Sequence, residues 1–143
     1  MRAALAQARA APDSGDVPVG AVVLDAAGTV IARGRNRREA DGDPTAHAEI
    51  VAIRAAARSV GEWRLDGLTL VVTLEPCTMC AGAITAARLS RVVFGAADPR
   101  AGAVGSLWDV VRDQRLAPVP EVIGEVLAEE CLNVIRRFFS EHR

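Results

Sequence analysis

The stretch Leu68-Thr69-Leu70-Val71-Val72-Thr73-Leu74 carries no charge and is aliphatic or β-branched throughout. Such a run suits a strand covered on both faces, which puts it at the centre of a sheet rather than at an edge. It runs into Pro76, and Cys77 to Arg88 then reads as a helix, since proline is tolerated at a helix start. Arg91 to Phe94 is a second buried-type strand. Upstream, Val17 to Leu24 is a nearly continuous apolar run, turned at Asp25-Ala26-Ala27-Gly28 into a hairpin partner, Thr29 to Arg35. Helices are predicted over Arg2 to Ala11, Thr45 to Ser59 (capped by Asp43 or Thr45) and Glu125 to His142. Arg38 to Pro44 reads as a charged loop, Gly95 to Gly105 as an Ala/Gly loop, Ser106 to Arg112 as a helical turn, and Glu121 to Ile123 as a short last strand. Helices alternating with strands after an opening hairpin predict an α/β protein: a three-layer α/β/α sandwich on a five-stranded mixed sheet with helices on both faces.

The chain has 143 residues, the size of one ordinary domain, and no repeat or linker divides it, so residues 1–143 are expected to form a single unit. Its longest uncharged stretch, Pro76 to Ala87, is 12 residues, short of the ~20 of a membrane-spanning helix. The Met1-Arg2-Ala3-Ala4-Leu5-Ala6 start lacks the apolar core of a secretory signal, so the expected location is cytoplasmic. The net charge of −1 confines any nucleic-acid binding to a local patch. All 17 basic residues are arginine, which with 27 alanines points to a GC-rich coding bias. Arginine is still a capable phosphate ligand.

Two short motifs carry the chemistry: His47-Ala48-Glu49 at the start of the second long helix, and Pro76-Cys77-Thr78-Met79-Cys80 at the start of the third. One His and two Cys are enough for a tetrahedral zinc whose fourth position stays open to water, the arrangement of a catalytic rather than a structural site. Helix N-termini supply positive partial charge that favours thiolates. Glu49, in the first turn, can share a pocket with His47 and act as a general acid and base. Taken singly, each residue has a plainer reading. C-x-x-C at a helix start also fits a redox dithiol, and Glu49 fits a first-turn acid complementing the helix dipole. His47 fits a surface or capping histidine, and Cys131 fits core packing. The only other histidine, His142, lies near the C-terminus. The order H-x-E…P-C-x-x-C is the signature of zinc nucleobase deaminases.

Asp43-Pro44-Thr45-Ala46-His47-Ala48-Glu49-Ile50, Thr73-Leu74-Glu75-Pro76-Cys77-Thr78-Met79-Cys80-Ala81-Gly82-Ala83-Ile84 and Arg91-Val92-Val93-Phe94-Gly95-Ala96 resemble the bacterial tRNA-specific adenosine deaminases. So do Val17-Pro18-Val19-Gly20-Ala21-Val22 and Arg100-Ala101-Gly102-Ala103-Val104-Gly105-Ser106-Leu107, and the resemblance runs essentially the length of the chain. The zinc motifs alone mark only the wider cytidine-deaminase-like superfamily, and guanine deaminases share them. Thr-Leu before Glu75, Ala-Gly-Ala-Ile after Cys80 and the loop ending Gly105-Ser106-Leu107 point to the tRNA enzymes. The resemblance implies hydrolytic deamination of the wobble adenosine of a tRNA anticodon to inosine. It also implies one Zn2+ per subunit on His47, Cys77 and Cys80, Glu49 as the catalytic proton carrier, and a homodimer. Substrate-binding positions are implied at Asn36, Val19, Ala48, Pro76 and Asp98. One departure is the tail: Phe138-Phe139 is followed by Ser140-Glu141-His142-Arg143 rather than by a basic run, which thins an expected phosphate contact.

Arg33, Arg35, Arg37 and Arg38 crowd round Asn36, and with Arg100 they are candidates to hold the RNA backbone of an anticodon stem-loop. The same arginines would also protect an edge strand by charge. With no Tyr, two Trp and three Phe, the chain has few stacking platforms, so base recognition is expected to rest on pocket shape. Two other classes remain open at this level: a deaminase of a free base, and a zinc-stabilised or redox domain built on the same Cys pair.

Overall fold

The computed structural model describes residues 1–142, so the last residue of the Ser140–Arg143 tail lies outside it. The uncharged run forms β3 (Thr69–Leu74), third in a five-stranded sheet of order β2-β1-β3-β4-β5. Strand β1 (Gly20–Leu24) pairs antiparallel with both β2 (Val30–Arg35) and β3. Strands β4 (Arg91–Ala96) and β5 (Glu121–Ile123) continue the sheet in parallel. Side chains alternate across it, as strands require. Leu70 and Val72 join Ala21 and Val23 on one face, where helices α3 (Ala48–Val60) and α4 (Thr78–Ala86) supply Ala48, Ala52, Ala56, Ala81 and Ile84. Val71 and Val22 face the other side and meet Ala4 of α1 (Arg2–Ala10). Cys131 of α5 (Ala128–Glu141) packs there against Leu5 and Ala96. The sandwich and its mixed sheet are those expected from the alternation of elements.

Small residues let the layers approach closely. A Cβ on Gly34 of β2 would lie 2.6 Å from both the Ala48 carbonyl oxygen and the Ala52 nitrogen, so α3 rests directly on the strand backbone. That contact fixes the N-terminus of α3, where His47 and Glu49 stand.

Several boundaries shift for identifiable reasons. Helix α3 starts at Ala48 rather than Thr45, because the Asp43 carboxylate accepts from the Thr45 nitrogen and hydroxyl, both at 2.8 Å, and holds a turn there. Neither Asp43 nor Thr45 therefore caps it; His47 occupies the N-cap position in an extended conformation. The charged loop after Arg37 contains a short helix, α2 (Arg38–Asp41). The expected helical turn at Ser106 to Arg112 does not form. Instead Leu107 and Trp108 donate to the Gly102 carbonyl, and Val104 bridges to Asp109. The helical turn in this part of the chain lies later, at Gln114–Leu116.

Candidate metal and base-binding site

His47 and Cys77 both sit one residue before a helix with extended backbone (ψ 155° and 178°), so their side chains project beyond the helix ends. Cys80 lies in the first turn of α4 and is fully buried. The His47 Nδ1 is 3.6 Å from the Cys77 Sγ and 3.5 Å from the Cys80 Sγ, and the three ligand atoms all lie within 4.8 Å of one another. Zinc bonds of ~2.3 Å to sulfur and ~2.05 Å to nitrogen at a tetrahedral angle put N and S about 3.6 Å apart. The triangle therefore has zinc dimensions, and its donors are of the soft and borderline type zinc takes. Three protein ligands leave a fourth position.

The three side chains are electrostatically coupled. The Cys80 thiol donates to Cys77, and that bond together with His47 lowers the Cys77 pKa to about 3 against the pull of burial. The same bond, and then burial, push the Cys80 thiol upward. Hydrogen bonding to Cys77 raises His47 above its ordinary value. Two sulfurs and an imidazole thus share one proton set, which a dication replaces.

Glu49 is 4% exposed, and this burial raises its carboxyl above the ordinary range. It lines the same cavity as His47 and Cys77, as a first-turn position can. The cavity is about 230 Å³, below the ~300–1,000 Å³ of pockets for drug-sized ligands. Its size suits one base. Val17, Val19, Asn36, Arg38, Ala48, Leu74, Glu75, Asp98 and Ala101 form the rest of the wall. The Asn36 Nδ2 donates to the Val17 carbonyl at 3.1 Å, and its Oδ1 accepts from the Arg38 nitrogen at 3.3 Å. One amide hydrogen and one oxygen lone pair remain for a ligand. Ala48 opens α3, so its N–H has no partner within the helix.

Of the residues singled out in the sequence, Val19, Asn36, His47, Ala48, Glu49, Cys77 and Asp98 line this one cavity, and Cys80 completes the metal triangle. Pro76, expected among the substrate-binding residues, is buried and does not line the cavity; its carbonyl accepts from the Ala103 nitrogen at 2.8 Å. Among the five arginines only Arg38 lines the cavity. Arg33 and Arg35 alternate with Gly34, so they point away from α3, and Arg37 is clasped by Asp41 through its Nε and Nη2.

Two buried acids were not read as functional from the sequence. Asp16, 1% exposed, accepts from the Ser14 hydroxyl at 2.6 Å and from the Glu39 and Ala40 nitrogens at 2.7 and 3.2 Å. It caps α2 from across the chain and so sets the rim carrying Val17 and Arg38. Glu75, 3% exposed, accepts from the nitrogens of Asp98, Val104 and Ser106 and from the Ser106 hydroxyl. Burial acts to raise its carboxyl, but those donors outweigh it and hold Glu75 below the ordinary range. An acid closing an uncharged run was the one available signal, and it carries no information about distant partners.

The fold and the His/Cys/Cys triangle beside a buried glutamate define a zinc-dependent deaminase, and the cytidine and deoxycytidylate deaminase zinc-binding region matches residues 1–96. The chain is 45% identical over 143 residues to a tRNA-specific adenosine deaminase of Bacillus subtilis, covering all of this chain and 88% of that protein. It is 48% identical to a Haemophilus influenzae protein of the same description, covering 83% of it. A solved tRNA:A34 deaminase, studied for A-to-I editing at the wobble position, superposes with a TM-score of 0.89 at 44% identity, over 94% of this chain and 96% of that one. The chain belongs to the tRNA-specific adenosine deaminase family.

Proposed function

We propose that this chain hydrolyses the exocyclic amine of the wobble adenosine in a tRNA anticodon, giving inosine and ammonia. The observation that carries the reading is the Glu49 carboxyl buried beside the metal triangle on the wall of a base-sized cavity. The substrate follows from the family, whose described members act on tRNA. His47, Cys77 and Cys80 hold the zinc, which when bound supplies the Lewis acidity that makes a water nucleophilic at neutral pH. Glu49 takes a proton from the attacking water and places it on the ring nitrogen N1 as oxygen bonds to C6. It then passes the second proton to the amine, the C6–N bond breaks, and ammonia leaves. Burial suits Glu49 to this, because a raised pKa makes its carboxylate a stronger base toward the attacking water.

The remaining residues bind and orient. Val19 forms an apolar wall for the base, Asn36 offers its spare amide hydrogen and lone pair, and Ala48 its unpaired N–H. Asp98 also lines the cavity, with its carboxylate accepting from the Arg100 and Ala101 nitrogens at 3.0 and 3.3 Å. Pro76 backs the metal turn. A target adenosine in the anticodon loop is splayed out of its stack to enter, and an unpaired loop lowers that cost. Arg33, Arg35, Arg38 and Arg100, with Arg37 beside them, hold the flanking phosphates. A single deaminase domain working in the cytoplasm as a homodimer completes the proposal. No described helix is long and apolar enough to cross a membrane.

The deciding experiment measures inosine formation on a panel of anticodon stem-loops bearing adenosine at the wobble position, alongside free adenine, adenosine and guanine, with light scattering for the assembly state. Turnover of stem-loops with little of the free compounds is expected. Efficient deamination of free guanine with none on any stem-loop overturns the tRNA reading while leaving the zinc chemistry intact.

A further inference from the structure

The loop from Asp98 to Ser106 is built round one side chain. The two Glu75 carboxylate oxygens accept four hydrogen bonds, all from this loop: Oε1 from the Asp98 nitrogen (3.0 Å) and the Ser106 hydroxyl, Oε2 from the nitrogens of Val104 (3.0 Å) and Ser106 (3.1 Å). The loop closes tightly enough that a Cβ on Gly102 would stand 2.4 Å from the Glu75 Cδ and Oε2, so only glycine fits there. Glu75 itself is fixed at its other end: its nitrogen donates to the Ala96 carbonyl at 2.8 Å, extending the β3–β4 pairing by one residue. Two residues on stands Cys77. The same loop delivers Asp98 and Ala101 to the cavity wall.

We propose that Glu75 is a positioning residue for substrate: it holds the 98–106 loop at a set distance from the metal ligands, so that Asp98 and Ala101 form the wall that selects and orients the base. The proposal rests on the adenosine deaminase reading above and adds a specificity-determining residue to it. The chemistry of the partners requires an acceptor without hydrogens. Four donors converge on Glu75, and a carboxylate offers only lone pairs. In Glu75→Gln one oxygen becomes an NH2 group facing donors, which frees one end of the loop from the sheet while side-chain size is kept. Ser106→Ala removes one of the four bonds without touching the backbone, and Ser106→Thr keeps the hydroxyl.

Three readouts separate a positioning role from a metal-supporting or merely structural one. Zinc per chain is measured on the purified variants. Trypsin cleavage after the exposed Arg100 is followed by the appearance of the fragment ending there. KM and kcat are measured separately on an anticodon stem-loop. The expected result is one zinc per chain throughout, faster cleavage at Arg100 in Glu75→Gln and Ser106→Ala but not in Ser106→Thr, and a KM raised about tenfold in Glu75→Gln with kcat within about threefold. Loss of zinc overturns the proposal, as does unchanged protection of Arg100, or a fall in kcat at constant KM. If the wild-type protein fails to deaminate any stem-loop, the activity reading falls, and the cleavage and zinc measurements still decide whether Glu75 holds the loop.

Discussion

Glu49 and Cys77 handle their protons in opposite ways within one small site. Burial raises the glutamate, while hydrogen bonds from Cys80 and His47 pull the thiol down to about 3. One group is ready to carry a proton and the other is ready to lose it to a metal. Their replacements should therefore fail differently. Glu49→Ala is expected to retain one zinc per chain and its affinity for the stem-loop but to lose the chemistry. General acid–base groups contribute ~10²–10⁴ in rate, and this one serves twice, so the single-turnover rate should drop by at least that much. A variant within about tenfold of wild type would assign the proton to another residue. Cys77→Ser keeps the size but offers a hard oxygen of poor acidity, so metal and activity should disappear together. Metal analysis of the purified variant checks this, and full activity in a zinc-free Cys77→Ser protein would remove the triangle from the mechanism.

Elements position those residues, and here the contrast between local and distant determinants is sharpest. The strands were legible because their β-branched runs carry the signal within themselves, and β5 falls at Glu121–Ile123 as read. The His47, Cys77 and Cys80 triangle was legible because its spacing is local and chemically specific. Helix α2 was not, because the carboxylate that satisfies its first N–H groups belongs to Asp16, over twenty residues upstream. Nor was the absence of a helix after Ser106, where the Leu107 and Trp108 nitrogens turn back to the Gly102 carbonyl in a loop that Glu75, about thirty residues upstream, ties down. Both misreadings have one origin: a buried acid capping backbone donors across the fold, which no periodicity reveals. Asp16 gives the testable case. Burial acts to raise its pKa, but Ser14, the Glu39 and Ala40 nitrogens and the nearby Arg37 outweigh it and leave the carboxyl depressed. A depressed folded-state pKa contributes stability above the unfolded value and loses it as pH falls through the folded one. Asp16→Asn should therefore cost about 0.5–2 kcal/mol near neutrality, in the range of a lost helix cap. The gap in melting temperature from wild type should close as pH drops below about 4. A gap independent of pH would mean that Asp16 acts through packing alone.

At the scale of the whole molecule, a net charge of −1 gives no general attraction to RNA, so binding depends on which arginines are free to leave the surface. Among the described residues many arginines are paired with acids, including Arg2, Arg64, Arg88, Arg91 and Arg112. Arg37 is paired as well, 2.9 Å from Asp41. Arg33, Arg35, Arg38 and Arg100 form no ion pair among the described residues, and the Arg35 Nε is buried without a partner. The cluster near Asn36 therefore divides into free cations and one already engaged. Counterion release turns that division into a measurement: log K falls with log salt by about 0.7 per single-strand phosphate contact. Arg33→Glu with Arg100→Glu should flatten the salt dependence of stem-loop binding by about 1.4 in slope and weaken affinity at low salt. The single-turnover rate at saturating RNA should hold, since neither side chain lines the base cavity. Arg37→Ala should change the slope by much less, because breaking its pair with Asp41 offsets part of any gain from a phosphate. Titrations across a range of salt concentrations read both. Equal slopes in all three proteins would place the RNA backbone on another surface, and a larger effect from Arg37 than from the free pair would mean that its bridge to Asp41 opens on binding.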